Sequence, residues 1–425
     1  KRNIGENIMI TTFVWVLVVS VSAHSSLDFS HLGLLPKWEP TYSMPLSTFV
    51  MPCNYSGYFD SKLTTKFGMV DFDWSNAKND WANQKPMDCE ERLVEQAALV
   101  KEVNPNTKVW IYRNLVKALP WFTHVRERLQ DPQYAGWFLK FKPQGPYHVP
   151  KCDNNYDPPR CSDFYHDQDQ TPGHPKGDGS CVDACDCGEN VPCGEYLWDH
   201  RNASLRDYLI NEFVLGKTGL ANANVSGFYF DDGWANKSQP IAPWQPKEGF
   251  CDHWKTGGAT EENLYCSQDM GLTQADTTAI RQGWEATMEA VFKAVVENGG
   301  FSFQLFSNAG TPPQATCAEW FRKTGTQYAS RATFLQFTGA KTAPLPQPNE
   351  DLATFLLIRG DYAWIGYGWV GCKLEYDFPD QLNADYGKPL TTTYKETSQG
   401  VFSREYSKAS VSFDCNKYVG TITPK

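Results

Sequence analysis

The sequence predicts an α/β fold of the (β/α)8 TIM barrel type, with long cysteine-rich loop insertions and a small C-terminal β appendage. Three observations predict it: eight short apolar runs, amphipathic segments between several of them, and carboxylates that directly follow some of the runs. A buried parallel strand is a short apolar run, and this barrel needs eight such strands alternating with helices. A doubly wound open sheet is the alternative that the same alternation allows.

The elements follow from hydrophobic periodicity. Four segments carry apolar residues at helical spacing. The predicted helices are Cys89–Val103, Ser204–Leu215, Thr273–Glu297 and Glu350–Leu357. The predicted strands are Thr48–Cys53, Gly68–Trp74, Lys108–Arg113, Tyr196–Asp199, Gly227–Asp231, Phe301–Ser307, Ala332–Phe337 and Tyr362–Gly366, with Trp137–Phe141 as a further candidate.

Segments of distinct composition divide the chain. Residues 1–23 predict a signal peptide, because an apolar run ends in small residues at Ala23, and Met9 is the expected initiator. The barrel is expected over residues 40–371, with insertions at 142–194 and 235–271 that lack apolar periodicity. Residues 372–425 alternate as antiparallel strands do, which predicts the β appendage.

Composition and charge narrow the class of protein. The formal charge is −10 without a basic block, so we expect no nucleic-acid partner. A signal peptide without a second long apolar run predicts a secreted or lumenal protein with no membrane span in the mature form. Thirteen cysteines then predict disulfides, with one cysteine left over, and disulfides are favoured over zinc for the cluster at 181–193. Sequons at Asn54, Asn202, Asn224 and Asn236 predict a glycoprotein. The oligomeric state stays open.

Two runs end on acids suited to catalysis. Asp199 follows Leu197-Trp198, and Arg201 nearby would keep it ionised, as a nucleophile or base requires. Asp231 and Asp232 end the run from Gly227, where burial would raise one pKa, as a general acid requires. We expect Asp231, or else Asp232, to be that acid. A structural ion pair and a helix cap or calcium site are the respective alternatives.

Polar and aromatic residues at other strand ends are candidate sugar ligands. Carboxylates and amides bind sugar hydroxyls, and an aromatic ring can pack against the face of a sugar. The expected substrate-binding residues are Asp73, Trp74, Arg113, Asn114, Trp198, Arg201, Trp234 and Asn308. Aromatic residues form 14% of the chain, and most of those not named here are expected in the core.

Two of these strand ends carry a family resemblance. Trp198-Asp199 resembles the fourth-strand nucleophile of α-galactosidase-like retaining glycosidases, and the Gly227–Asp232 segment resembles the strand ending of several glycosyl hydrolase families. The resemblance spans about residues 45–370 and implies a glycoside hydrolase barrel. The α-galactosidase-like pattern places its acid two strands after the nucleophile, whereas Asp231 lies on the next predicted strand. The chain therefore most resembles uncharacterised secreted glycosyl hydrolase-like proteins, which fixes neither sugar nor linkage.

The sequence thus predicts a secreted glycosidase that cleaves an oligo- or polysaccharide with two carboxylates and no cofactor. A non-catalytic, lectin-like carbohydrate-binding barrel is the first alternative. The second is a metal-dependent hydrolase that uses the Asp231-Asp232 pair with a histidine from His166, His174, His200 or His253.

Overall fold

The structure is a computed structural model. It describes residues 32–140, 151–153, 160–162, 164, 166–167, 187–189, 191, 195–234, 251–253, 264–266, 272–304, 310–330, 333–337, 347–369, 372, 376 and 378–425. The predicted signal peptide and Asn308 lie outside these ranges, so both stay predictions. None of the described helices is long and apolar enough to cross a membrane.

Seven parallel strands form the central sheet. They are β1 (Thr48–Val50), β2 (Met69–Phe72), β3 (Lys108–Asn114), β4 (Gly227–Asp231), β5 (Phe301–Gln304), β6 (Thr333–Phe337) and β7 (Tyr362–Tyr367). Their order is β5-β4-β3-β2-β1-β7-β6, so the first and last strands along the chain are neighbours. That order belongs to a sheet curled into a nearly closed barrel. The described residues show no eighth parallel strand, so the fold is a barrel-like α/β fold rather than a demonstrated (β/α)8 barrel.

Helices connect these strands. They are α1 (Ser61–Thr64), α2 (Lys78–Asn83), α3 (Cys89–Val103), α4 (Thr123–Gln130), α5 (Ala203–Tyr208), α6 (Gln274–Glu297), α7 (Cys317–Trp320), α8 (Thr326–Ala329) and α9 (Pro348–Ile358). A capping box begins α6: the Thr273 side chain accepts from the backbone N–H of Asp276, and the Asp276 carboxylate accepts from the backbone N–H of Thr273. All four predicted helices are present, and the second continues from α5 into the π-helical turn Leu209–Val214.

One predicted barrel strand lies elsewhere. Glu195–Leu197 pairs antiparallel with Lys117–Ala118 and with His166–Asp167, outside the seven-stranded sheet. The prediction of Tyr196–Asp199 as a barrel strand was therefore wrong. A short apolar run has the same pattern in a buried parallel strand and in a small antiparallel ribbon covered by other residues, so periodicity alone does not separate them.

The two faces of the barrel sheet bury different cores. The inner face contributes one apolar residue from each strand to a single cluster, in which Trp110 and Tyr229 stack with centroids 6.5 Å apart. Its strand members are Phe49, Met69, Trp110, Tyr229, Phe301, Leu335 and Trp364. The outer face packs against the helices in a larger cluster that includes Val70, Ile111 and Phe228. Side chains alternate along a strand, so these clusters show which face each later residue occupies.

A separate antiparallel sheet follows the barrel. Its strands are β8 (Lys395–Ser398), β9 (Val401–Glu405), β10 (Ala409–Asp414) and β11 (Val419–Pro424), paired in chain order. Buried Arg404 donates to the carbonyls of Leu357 and Arg359 at the end of α9, at 3.1 and 2.7 Å. The Cys317–Cys415 disulfide adds a covalent link between this sheet and α7.

Disulfide bonds involve several of the cysteines in the described ranges. A second disulfide joins Cys53 to Cys372, and Cys187 is also disulfide-bonded. Cys89 is free and buried at the start of α3. Short strands in the two insertions pair antiparallel, Lys151–Asp153 with Arg160–Ser162 and Cys251–His253 with Leu264–Cys266.

Candidate functional site

Polar residues continue the inner face of the barrel beyond its apolar cluster. Asp71 follows Met69 on the inner face of β2, and Asp231 follows Tyr229 on that of β4. Between these strands, Tyr112 and Asn114 follow Trp110 on β3. All strands run parallel, so these side chains gather at the carboxyl end of the sheet, where barrel enzymes build their sites.

Asp231 is the central carboxyl of this group and is partly exposed. The hydroxyl of Tyr112 donates to its Oδ2 at 3.0 Å, and the backbone N–H of Asp232 donates to its Oδ1 at 2.8 Å. Burial and the charges of Asp232 and Asp73 raise the pKa of Asp231 well above its ordinary value, against the opposing charge of Lys117. Asp231 is therefore suited to carry a proton near neutral pH.

Asp232 points into a buried ion network instead. Its backbone is left-handed, with φ of 58°, and the residue is 2% exposed. Its Oδ2 accepts from Asn114 Nδ2 at 2.8 Å and lies 3.3 Å from Lys117 Nζ. Lys117 also lies 2.8 Å from Glu195 Oε2. Burial would lower the pKa of Lys117, but Asp232 and Glu195 raise it above its ordinary value, so the ammonium stays charged between them.

A second partly exposed carboxyl, Asp73, lies just beyond β2. Ser75 donates to its Oδ2 through both its backbone N–H, at 3.0 Å, and its hydroxyl. Burial raises the pKa of Asp73, while the Ser75 donors and the charge of Lys78 oppose that rise. The Lys78 ammonium lies 4.5 Å from the ring centroid of half-buried Trp74. The pKa of Asp73 is thus raised, but less strongly than that of Asp231.

Asp71 lies beneath these two acids. It is 0% exposed, and neither of its carboxyl oxygens has a hydrogen-bond partner among the described residues. Burial, followed by the charges of Asp73 and Asp231, raises the pKa of Asp71 well above its ordinary value. Asp71 is thus a buried carboxyl at the base of the site, and the charges of Asp73 and Asp231 favour its neutral form.

The structure places Arg113 and Trp198 away from these acids. Arg113 occupies the outer face of β3, where its Nη2 lies 3.1 Å from Glu90 Oε1 and 2.7 Å from the Thr218 carbonyl. Trp198 is 0% exposed and stacks on Phe138 with centroids 5.0 Å apart. The alternation of β3 turns Arg113 outward, and Trp198 is packed within the core, so their roles as sugar ligands stay predictions without support from these positions.

Asp199 and Arg201 form a separate ion pair. Arg201 Nε lies 2.8 Å from Asp199 Oδ1 and its Nη2 lies 2.6 Å from Oδ2, while its Nη1 binds Asp276 at 2.6 Å. Both residues follow the antiparallel strand Glu195–Leu197 rather than a strand of the barrel sheet. Among the described residues, no contact joins Asp199 to Asp231 or Asp232. The catalytic role of Asp199 stays a prediction. In this structure its carboxylate is bound by Arg201, which also binds Asp276.

Of the remaining predicted ligands, Asn114, Asp73 and Trp74 belong to the group around Asp231. Trp234 lies close by along the chain, 3% exposed, with an indole N–H that has no described acceptor. The sequence-based prediction missed Tyr112, Glu195 and Lys117. Tyr112 could have been found, because it alternates with Asn114 on one strand, whereas the contact of Lys117 with Glu195 depends on tertiary pairing.

The described residues do not form a metal-binding site. Within the described ranges, no three His, Cys, Asp or Glu side chains are placed to share a metal ion. His200 is buried, with Nε2 2.5 Å from the Leu115 carbonyl, and burial lowers its pKa to about 4. His200 is thus held in the core between β3 and α6. The other three candidate histidines have no described side chains.

No family model and no curated protein matches the chain. The debranching enzyme of Nostoc punctiforme is similar at 10% identity and a TM-score of 0.40, covering 88% of this chain and 87% of that one. Sucrose 6F-phosphate phosphorylase from Thermoanaerobacter thermosaccharolyticum is similar at 8% identity and a TM-score of 0.41, covering 89% and 95%. The α-glucosyl transfer enzyme XgtA is similar at 11% identity and a TM-score of 0.40, covering 89% and 92%. The resemblance to the α-galactosidase-like group stays a prediction.

Proposed function

We propose that the protein is a glycoside hydrolase whose reaction takes place at the carboxyl end of the barrel, with Asp231 as the proton donor and Asp73 as the second carboxylate. One observation carries the proposal. Two partly exposed carboxyls, Asp73 and Asp231, lie at the carboxyl ends of β2 and β4, on either side of β3, and the charge of Asp73 raises the pKa of Asp231. Glycoside hydrolysis needs such a pair, one acid that is protonated and one that is charged.

The surroundings of the two acids divide the roles. Burial and the negative charges of Asp232 and Asp73 favour the neutral form of Asp231. A proton is then available for the leaving oxygen. Asp73 receives two hydrogen bonds from Ser75 and faces the charge of Lys78, which favours its anion. The anion would attack the sugar or activate a water. The exposed part of Trp74 would contact the sugar beside it.

The buried network fixes the direction of Asp231. Asn114 and Lys117 contact the side-chain carboxylate of Asp232. The backbone N–H of Asp232 donates to Asp231. Glu195 Oε2 lies 2.8 Å from the same Lys117 ammonium. Removing Lys117 would leave the buried Asp232 and Glu195 without their shared cation. We therefore assign Asp232, Lys117 and Glu195 to positioning and Asp231 to contact with substrate.

Hydrolysis of aryl α- and β-glycosides of common neutral sugars, together with plant and algal polysaccharides, tests the proposal. Release of the aryl group or of reducing sugar by the wild-type protein, and its loss in the Asp231→Asn variant, is the expected result. Binding of a polysaccharide without any turnover would favour the lectin-like barrel instead. Equal turnover by wild type and variant would overturn the assignment of the site.

The pH dependence of the reaction is the first specific prediction. Only protonated Asp231 can donate, so kcat/KM should fall as the pH rises through the pKa of Asp231. This pKa is raised, so activity should persist well above pH 4, where an ordinary aspartate with a pKa of about 3.9 is ionised.

Tyr112→Phe provides the matched variant. The Tyr112 hydroxyl stabilises the ionised form of Asp231, so its removal should raise the pKa and move the alkaline limb upward by about 0.5–1 pH unit. Profiles of kcat/KM against pH for both proteins measure the shift. A downward shift in the variant would contradict Asp231 as the proton donor.

A further inference from the structure

Trp369 is an exposed aromatic residue at the rim of the barrel. It lies two residues beyond the last residue of β7, Tyr367, and is 49% exposed. Six other tryptophans belong to the largest fully buried side chains of the protein. An indole ring is costly to leave in water, so an exposed one at the carboxyl end of a barrel strand calls for a partner.

The covalent structure keeps Trp369 near the proposed site. Cys372, three residues later, forms a disulfide with Cys53, with Cα atoms 4.3 Å apart. Cys53 Sγ lies 3.2 Å from the hydroxyl of Ser75, which in turn donates to Asp73. Three residues of extended chain reach about 10 Å. The indole is therefore tethered within the span of a short oligosaccharide from Asp73.

The order of the strands gives the direction. β7 is followed in the sheet by β1 and then β2, and neighbouring strands lie about 4.8 Å apart. Trp369 at the end of β7 thus lies on the Asp73 side of the acid pair, away from β4 and Asp231. Tyr376 reinforces this part of the rim, because its hydroxyl donates to the Met51 carbonyl at 2.5 Å and its ring packs on Tyr367 and Phe59.

We propose that Trp369 is a stacking platform for a sugar ring several units away from the bond that is cleaved, so that the substrate is an oligo- or polysaccharide chain. The inference rests on the proposed function. An indole offers a flat apolar face, and the C–H face of a pyranose ring is its apolar complement. The rim position makes this contact available to a long substrate and leaves a monosaccharide glycoside out of its reach.

The test compares a short and a long substrate of the same sugar. The protein is assayed with maltohexaose, cellohexaose and xylohexaose and with the matching aryl monoglycosides, and the pair that the wild type hydrolyses fastest is kept. Trp369→Ala should reduce the ratio of kcat/KM for the hexasaccharide to that for the monoglycoside about tenfold, and Trp369→Phe should restore most of it. Leu390→Ala, which removes a 61% exposed apolar side chain from the C-terminal part, should leave the ratio unchanged.

The outcomes separate the two proposals. An unchanged ratio in Trp369→Ala, with normal turnover by the wild type, overturns the platform and leaves the glycosidase assignment intact. If the wild type hydrolyses neither these substrates nor the glycosides and polysaccharides of the first test, the proposed function fails. Calorimetric binding of the three hexasaccharides then tests the role of Trp369 by itself. Weaker binding by Trp369→Ala than by Leu390→Ala supports the platform, and equal or absent binding overturns it.

Discussion

Replacing Asp231 by asparagine is expected to reduce kcat/KM by about 10³-fold for glycosides with a poor leaving group. Proton donation by a placed side chain contributes about 10²–10⁴-fold, and an amide has no proton of the required acidity. The fold should survive, because asparagine has nearly the same shape as aspartate and its amide oxygen can still accept from the Asp232 N–H. Circular dichroism and thermal unfolding of the variant would establish that the loss is chemical.

The leaving group provides the diagnostic measurement. A dinitrophenolate departs without protonation, so the Asp231→Asn variant should lose far less activity on a dinitrophenyl glycoside than on an alkyl glycoside. Asp73→Asn removes the second carboxylate, and its loss should be large on both substrates. A similar loss on both substrates in Asp231→Asn would contradict the role of proton donor.

Asp199→Asn is the matched control. It removes the charge that Arg201 neutralises at 2.6 Å, on a partly exposed pair outside the barrel sheet. We expect a modest loss of stability and turnover within about threefold of the wild type, since exposed ion pairs contribute about 1 kcal/mol or less. A folded Asp199→Asn protein that is as inactive as Asp231→Asn would instead support Asp199 as the nucleophile.

Much of the barrel could be predicted from the sequence because its strands are short and apolar and end on polar residues. The run Gly227–Asp231 is a strand of the sheet, and Asp231 lies at its carboxyl end, as predicted. The run that ends at Asp199 has the same local pattern, yet its strand belongs to an antiparallel ribbon. The local sequence predicts that a segment forms a strand. The sheet to which that strand belongs depends on pairing with segments far away along the chain.

Site residues divide in the same way. Asp73 and Asn114 follow from strand ends, and the position of Tyr112 follows from alternation along β3. Lys117 and Glu195 do not, because their contact requires Lys117 to pair with Leu197, eighty residues later in the chain. The left-handed backbone of Asp232, which turns its carboxyl toward Lys117, is likewise a result of tertiary packing. Sequence alone therefore favoured Asp231 only narrowly over Asp232 as the acid.

Replacing Arg113 by leucine is expected to cost about 3–5 kcal/mol of the free energy of unfolding, because it leaves the buried Glu90 carboxylate without its cation. Both side chains are 0% exposed and lie 3.1 Å apart. Burial would raise the pKa of Glu90, but Arg113, with His124, holds it at about 2. The stability that this carboxylate contributes is present above its unfolded pKa of about 4.3 and is lost as the pH falls toward 2.

Urea unfolding of four proteins measures this effect: wild type, Arg113→Leu, Glu90→Gln and the double variant. Glu90→Gln removes the orphaned charge, so the double variant should be more stable than Arg113→Leu alone. Tyr112→Phe, one residue away on the inner face of β3, should cost about 1 kcal/mol and alter the pH profile instead. Loss of sugar binding in a fully stable Arg113→Leu protein would contradict the outward placement of Arg113. Substitution of Arg113, on the face of β3 that packs against the helices, should therefore alter stability. Substitution of its neighbour Tyr112, on the face toward the proposed site, should alter the pH dependence of the reaction.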